Sequence, residues 1–460
     1  MEKLTFGIEL DFAIWLSRFP EEINRDKKGQ AAVLDLTPNT MRIRNPDIPP
    51  AWYEGEDFIT YEILRHVTQQ IDNFVNKLPR RGTPAVGPSL APFQRWTVRT
   101  DTSIELDGLF YPEWAGLEWH GLEIRSPAFE ATEEAFAEVA AVVEFIRTKF
   151  RVTVPPSCGL HVHVGKGPNC FPLDTLKKMA AVCWAGDLLL QTIHPICRRY
   201  NRHCSGPRAK SAVAKGWNAD GVDHSPRACM ERHSSMLKAI QRSRPRREVE
   251  KYNFDRTLPR EPAMDPFNPE LPTDPSAYET AACLEGPLVI WPEVQEVVRG
   301  SVSILEGAEQ IMCCTTPNDL AKMMSIGSDS RGAYNFTAYS DRARQNADNK
   351  RTVEFRQAAG TMDGSWVVHW AKICVGIARF AEEATDAELW GLMYDCHRRD
   401  KKPGQYDALD FLLDLGLPQQ ARAVQWRWQS RIYILESLQP FSDAADTPAT
   451  MQAALTRMDF

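Results

Sequence analysis

Ser157-Cys-Gly-Leu-His-Val-His-Val-Gly165 is the stretch on which the fold turns. His161 and His163 lie two residues apart with Leu160, Val162 and Val164 interleaved, so an extended chain sends both imidazoles to one face and the aliphatic groups to the other. A half-buried strand whose histidines merely hydrogen-bond has the same pattern, and this stretch alone does not separate the two readings. Three distant stretches repeat the layout with acids in place of histidines. Phe6-Gly-Ile-Glu-Leu-Asp11 alternates Phe6, Ile8 and Leu10 against Gly7, Glu9 and Asp11. Leu122-Glu-Ile-Arg125 and Thr352-Val-Glu-Phe-Arg356 set Glu123, Arg125, Glu354 and Arg356 against Leu122, Ile124, Val353 and Phe355. If the four share one sheet, their polar faces combine into a cavity holding Glu9, Asp11, Glu123, Glu354, His161, His163 and Arg356.

Such a cavity has an electrostatic problem. Two carboxylates about 4 Å apart repel by roughly 4 kcal/mol at an effective dielectric near 20, so several facing one cleft must hold protons or share cations. Bound divalent metal is the more economical solution. Oxygen-dominated ligation with one imidazole favours Mg2+ or Mn2+, whereas structural zinc prefers sets of Cys and His.

Composition narrows the partners. The 460 residues, 43% hydrophobic and 25% charged, can bury a large core in one elaborated domain or two. A net charge of -7 argues against nucleic acid as the main partner, because phosphate binding wants a basic face. A small-molecule or peptide substrate is expected instead. No apolar segment has signal-peptide character or the length to span a bilayer, which predicts a cytoplasmic protein with no membrane partner. In that reducing compartment the 11 cysteines, with no C-x-x-C pair, read mostly as buried thiols. Cys158, beside the histidines, is read as a small packing residue in preference to a nucleophile.

Along the chain the pattern predicts an α+β fold, a largely antiparallel sheet with helices on its outer face. Trp15 to Pro50 is Pro-punctuated and reads as an irregular surface excursion. Tyr61 to Leu78 has helical apolar spacing, and Pro79 to Pro92 reads as a loop. Trp96 to Ile104 is expected as a strand that turns, antiparallel to the Glu123 strand. Asp101 there is a candidate ligand, or equally an Asp whose side chain closes the turn. Thr132 can cap a helix reaching Phe150, and a second helix spans Pro172 to His194 with Leu173, Leu176, Met179, Ala180, Cys183 and Trp184 inward. Residues 201–290 read as a Pro-rich insertion, with a basic run from Arg242 to Arg247. Mixed helix is expected from Ser303 to Met324, a short strand from Tyr334 to Thr337, and a helix from Ser365 or Trp366 to Ala384. Residues 1–385 would form the catalytic domain, and 386–460 a helical layer with segments at 406–415, 419–438 and 451–458.

No G-x-x-x-x-G-K-[ST] phosphate loop, dinucleotide fingerprint or G-x-S-x-G elbow occurs. What does occur is an ordered set. Gly7-Ile-Glu-Leu-Asp11, Asp101-Thr-Ser-Ile104, Leu122-Glu-Ile-Arg-Ser-Pro127, Cys158-Gly-Leu-His-Val-His-Val-Gly165 and Thr352-Val-Glu-Phe-Arg356 together resemble the signature of the amidoligase family, ATP-dependent carboxylate-amine ligases related to glutamine synthetase and glutamate-cysteine ligase. The G-x-H-x-H stretch is similar to that of glutamine synthetases, and E-x-x-S-P to that of glutamate-cysteine ligases. The sequence departs from the pattern at Asp11, where a second glutamate is usual, and at Thr102, where Gly is common.

The resemblance implies a curved sheet forming an active-site funnel, as in glutamine synthetase and glutamate-cysteine ligase, that holds ATP and two or three Mg2+ ions. Carried across by motif, Glu9, Asp11, Asp101, Glu123, His161 and Glu354 would ligate metal. His163, Ser103 and Arg356 would bind the nucleotide, with Arg356 meeting the transferring phosphoryl group. Glu9, Glu354 and Arg356 would carry catalysis. The reaction would convert a carboxylate to an acyl phosphate that an amine attacks, leaving an amide or peptide-like bond. Three rivals stand beside it: a guanidino-type phosphotransferase on the same fold, a metal-dependent hydrolase using H-x-H plus carboxylates, and a non-catalytic binding module. A homo-oligomer is left open.

Overall fold

Thirteen consecutive residues, Thr5–Ser17, form β1 and are buried at every position but Gly7. The structure is a computed structural model that describes residues 3–17, 34–36, 56–79, 81–85, 93–106, 118–155, 157–195, 198, 204–216, 302–326, 332–346, 349–401 and 406–430. In chain order the further elements are β2 (Leu34–Asp35), α1 (Glu56–Val75), β3 (Thr97–Thr100), β4 (Glu118–Arg125), β5 (Phe129–Glu130), α2 (Glu133–Lys149), β6 (Val152–Thr153), β7 (Gly159–Gly165), α3 (Leu173–Gln191) and α4 (Pro207–Lys210). Then come α5 (Ile304–Met312), α6 (Pro317–Met323), β8 (Tyr334–Asn335), α7 (Asp341–Arg344), β9 (Val353–Ala359), α8 (Gly364–Glu383), α9 (Asp386–Lys401), α10 (Ala408–Asp414) and α11 (Pro418–Ser430).

The strands form one open sheet in the order β3-β4-β1-β7-β9-β8, with β2, β5 and β6 also pairing with β1. Every pairing is antiparallel except that of β2 with β1. The fold is therefore α+β, built on a large antiparallel sheet. The four stretches singled out by alternation are its four central strands, β4, β1, β7 and β9. β3 lies antiparallel to β4, with Arg99 opposite Glu123, as the sequence predicts.

β1 is longer than its alternation suggested. Phe12 to Leu16 is an unbroken apolar run, and the expectation of a surface excursion from Trp15 is corrected: the strand continues to Ser17, buried throughout this part. A run buried on both faces cannot alternate, so periodicity missed it. The rest of that excursion, apart from residues 34–36, lies outside the described residues.

The apolar row of the sheet is the floor of the core. Phe6, Ile8, Leu10, Phe12, Leu122, Ile124, Leu160, Val162, Val164, Val353 and Phe355 are all buried in one continuous cluster. Each such side chain contributes about 2 kcal/mol by leaving water. α8 packs on β1 and β7 and contacts α2 and α3. Phe136 of α2 stacks on Phe6 with ring centroids 4.5 Å apart.

The helices start where their capping chemistry allows. Thr132 accepts a hydrogen bond from Ala135 N, Glu133 and Glu134 lie in the first turn of α2, and Arg147 and Lys149 close it, each charge complementing the helix dipole. Asp363 caps α8 by accepting from Trp366 N, so that helix begins at Gly364, just before the expected Ser365. α3 was expected to bury one face. It is instead buried around most of its circumference, because α5, α8 and α9 all lie against it.

β9 carries a bulge. Val162 faces Phe355 but Leu160 faces Ala358, so one extra residue opposes His161. The bulge lets Arg356 stay on the polar face while Gln357 turns to the core, where it accepts from Tyr334 Oη at 2.9 Å and donates to Asp187 O at 3.2 Å.

All eight described cysteines are free thiols, six of them buried. Residues 204–216 of the expected insertion pack inward: Ala212 N donates to Ser325 O and Arg208 N to Asp187. Residues 217–290, with the basic run, and the segment at 451–458 lie outside the described residues. Among the described residues no helix is long and apolar enough to cross a membrane.

Candidate active site

Antiparallel register decides which side chains meet, because directly opposed residues point to the same face. Glu9 lies opposite both His161 and Arg125, Asp11 opposite Glu123, Gly7 opposite His163, and Glu354 opposite both His163 and Asn335. Four strands thus bring Glu9, Asp11, Glu123, His161, His163, Glu354 and Arg356 together on one face, and Asp101 joins from the turn after β3. Ligating atoms fall into three overlapping groups, each within 4.8 Å: Glu9, Glu123 and His161; Glu9, His163 and Glu354; Asp11, Asp101 and Glu123.

The turn-closing reading of Asp101 holds. Its Oδ1 accepts from Ser103 N at 2.7 Å, closing the turn, and the same carboxylate belongs to the third group. Ser103 is therefore held near the acids by its backbone rather than by its hydroxyl. The separate roles implied for the histidines are not visible in the distances. His163 Nε2 lies 3.2 Å from Glu9 and 3.9 Å from Glu354, while His161 Nδ1 lies 3.8 Å from each. Cys158 is buried, and burial pushes its thiol well above the ordinary range, so it packs rather than reacts.

Bases lie between these acids: Arg125 and Arg356, which the alternation places on the polar face, and Lys350, which it did not reach. Arg125 donates to Glu123 and lies 3.4 Å from Glu9; Lys350 donates to Glu9 and lies 3.2 Å from His163 Nε2. Arg356 Nη1 donates to Glu354 at 2.6 Å and lies 3.4 Å from His161 Nδ1. Asn335 Nδ2 holds the other Glu354 oxygen at 2.8 Å, and Thr352 Oγ1 lies 3.0 Å from His163 Nδ1. Lys350 and Thr352 were findable: carrying the alternation of Glu354 and Arg356 two and four residues back reaches both.

These pairings divide the face in two. Burial would raise the carboxyls of Glu9 and Glu354, but His163, His161 and a basic neighbour outweigh it, holding Glu9 well below the ordinary range and Glu354 at about 2. At the other end burial wins. Asp11 is pushed up to about 7 by desolvation with Glu123 and Asp101 adding, and Glu123 is raised by burial, Glu9 and Asp101. His161 is lowered to about 4 by burial and by Arg356, and so is neutral near pH 7. The end formed by Asp11, Asp101 and Glu123 is thus short of positive charge.

The donor sets suit a hard cation. Each group is two carboxylates with one imidazole, or three carboxylates. Asp11 Oδ2 accepts from Gly159 N at 2.9 Å, while its buried Oδ1 has no partner. One oxygen is fixed by the backbone and the other is left for a ligand.

No curated protein and no solved structure matches the chain. A family match covers the site residues from Glu9 to His163 and stops short of Asn335, Lys350, Thr352, Glu354 and Arg356. Residues 2–225 are similar to the family described as "Putative amidoligase enzyme", a similarity that supports the amidoligase family and, with it, a ligase activity.

Proposed function

We propose that the protein is an ATP-dependent carboxylate-amine ligase that joins a small-molecule or peptide carboxylate to an amine through an acyl phosphate, on a sheet of the glutamine synthetase and glutamate-cysteine ligase kind. The observation that carries this reading is the meeting of Glu9, Asp11, Asp101, Glu123, His161, His163 and Glu354 in three overlapping ligand groups on one sheet face. Mg2+ or Mn2+ held by Glu9, Asp11, Asp101, Glu123, His161, His163 and Glu354 would supply positive charge to offset the negative charge that builds during phosphoryl transfer.

The chain's own residues do the rest. Glu9 and Glu123 each belong to two of the groups and would each help hold an ion in either. His161, uncharged, offers a lone pair. Glu354 orients the Arg356 guanidinium, whose planar fork is suited to the oxygens of a transferring phosphoryl group. Glu9, Asp11, Glu123, His161 and Glu354 are all buried, which keeps water from an acyl phosphate that it would hydrolyse.

The hydrolase reading is disfavoured by one detail. A zinc site built on H-x-H needs both imidazoles on one ion, and among the described residues His161 and His163 fall in different groups. The phosphotransferase differs only in its product. The test is incubation of the purified protein with ATP, Mg2+ and panels of amino acids, peptides and amines, following ADP and a condensed mass together. Coupled appearance of both supports the ligase. A phosphorylated product without condensation favours the phosphotransferase, and turnover with zinc and no nucleotide favours the hydrolase.

A further inference from the structure

Arg198, beyond the end of α3, belongs to none of the sequence stretches above, yet its guanidinium stands in the site. The residue is 2% exposed. Gly159 shares the strand face of His161 and His163, so a Cβ there would enter the polar side of the sheet. That Cβ would lie 2.5 Å from Arg198 Nη2 and 2.7 Å from His161 Nε2. The guanidinium therefore sits over Gly159, beside the imidazole, in space that only a glycine leaves open.

Its hydrogen bonding is incomplete. Nη2 donates to the carbonyl oxygen of Arg356 at 2.9 Å, but among the described residues Nε and Nη1 have no partner, and neither has Nε of Arg356. Among the described residues no carboxylate comes within ion-pair distance of Arg198. Asp11 acts on it from farther away, and the buried Oδ1 of Asp11 is itself without a partner. A buried guanidinium is strongly unfavourable unless an anion and hydrogen bonds compensate it. The orphaned atoms of both arginines are all donors, so their occupant must be an acceptor, and while Arg356 has Glu354 as its counter-charge, Arg198 has no carboxylate at ion-pair distance among the described residues, which favours an anionic acceptor.

We propose that Arg198 and Arg356 together receive an oxyanion at the Gly159 end of the polar face: the carboxylate of the acid substrate, or the phosphoryl group that it acquires. This rests on the ligase reading for the identity of the anion, though not for its presence. Arg198 offers free N–H groups at Nε and Nη1 on a side chain anchored through Nη2 to the backbone that carries Arg356.

The test uses the full chain with inorganic phosphate and acetate as probes, and compares the wild type with Arg198→Gln and Arg198→Lys by titration calorimetry. Mn2+ binding, read by electron paramagnetic resonance, runs in parallel. Both variants are expected to weaken a probe about tenfold or more while Mn2+ binding is retained, because Arg198 belongs to no ligand group; Arg198→Lys, which keeps the positive charge near Asp11, should leave Mn2+ affinity unchanged. Loss confined to phosphate identifies the phosphoryl group, and loss confined to acetate the carboxylate. Equal binding of both probes by wild type and Arg198→Gln overturns the proposal. If neither variant melts cooperatively, the wild type carries the test: a rise in its Tm with either probe supports the pocket, and no rise overturns it. Failure of the ligase reading shows separately, as absence of Mn2+ and MgATP binding in the wild type.

Discussion

Glu354→Gln removes one charge at constant shape, and the structure says what that charge is worth. One oxygen accepts from Arg356 Nη1 at 2.6 Å and the other from Asn335 Nδ2 at 2.8 Å, with both histidines nearby. Against its own burial, this setting brings the carboxyl from the ordinary 4.5 to about 2. At about 1.4 kcal/mol per unit, ionised Glu354 stabilises the fold by roughly 3 kcal/mol at pH 7. Gln keeps the shape and part of the hydrogen bonding, so a loss of about 1–3 kcal/mol is expected in urea unfolding at pH 7. The sign follows from the lowered pKa. The stabilisation is complete above the unfolded value and is lost as pH falls toward about 2. By pH 3.5 it has dropped by roughly 1 kcal/mol, and the gap between variant and wild type narrows by that amount. Equal stability of the two proteins at pH 7, or a gap that widens on acidification, would refute the pairing of Glu354 with Arg356 and the histidines.

Three other perturbations follow. Arg356→Lys should lower ligase turnover on the order of a hundredfold, since an ammonium cannot hold Glu354 and still present a planar fork; turnover like wild type in the ADP assay removes Arg356 from the chemistry. Lys350→Met should raise Mn2+ affinity several-fold by freeing Glu9, as read by paramagnetic resonance, and an unchanged affinity would mean that the ammonium and the ion do not compete. Gly307→Ala should cost about 1–3 kcal/mol by overpacking, because a Cβ there runs into the Trp184 ring; a melting curve like the wild type's would show that α5 can shift away.

What the sequence made legible was the part written in period two. Strands β4, β1, β7 and β9 each show one polar and one apolar face, and antiparallel pairing lines up those faces without further information. Glu9, His161, His163 and Glu354 could therefore be grouped before any coordinates. Three features escaped for separate reasons. The second half of β1 is buried on both sides and has no alternation to read. The bulge at Arg356 and Gln357 shows only as a shift in pairing, a property of two strands and not of one. Arg198 reaches the site from beyond a helix, and what betrays it is a neighbour's missing Cβ at Gly159.

Lys350 is the most instructive omission, because together with Arg125 and Arg356 it changes what the acids mean. Five buried or half-buried carboxylates alone would have to hold protons or share cations for the chain to fold. Arg125, Lys350 and Arg356 already pair with Glu123, Glu9 and Glu354, so the fold can stand without a bound cation. The unbalanced charge is confined to Asp11 and Asp101, with Glu123 between them and Glu9. A divalent ion entering there gains three carboxylates while displacing only Arg125 from one of them. A second ion, at Glu9, His163 and Glu354, must displace Lys350 and compete with Arg356. Two sites of unequal affinity are the consequence. The first should fill alone, with release of the proton held in part by Asp11 as it does so, and the second should need an added ligand, such as nucleotide phosphate, to draw the ammonium of Lys350 away from Glu9.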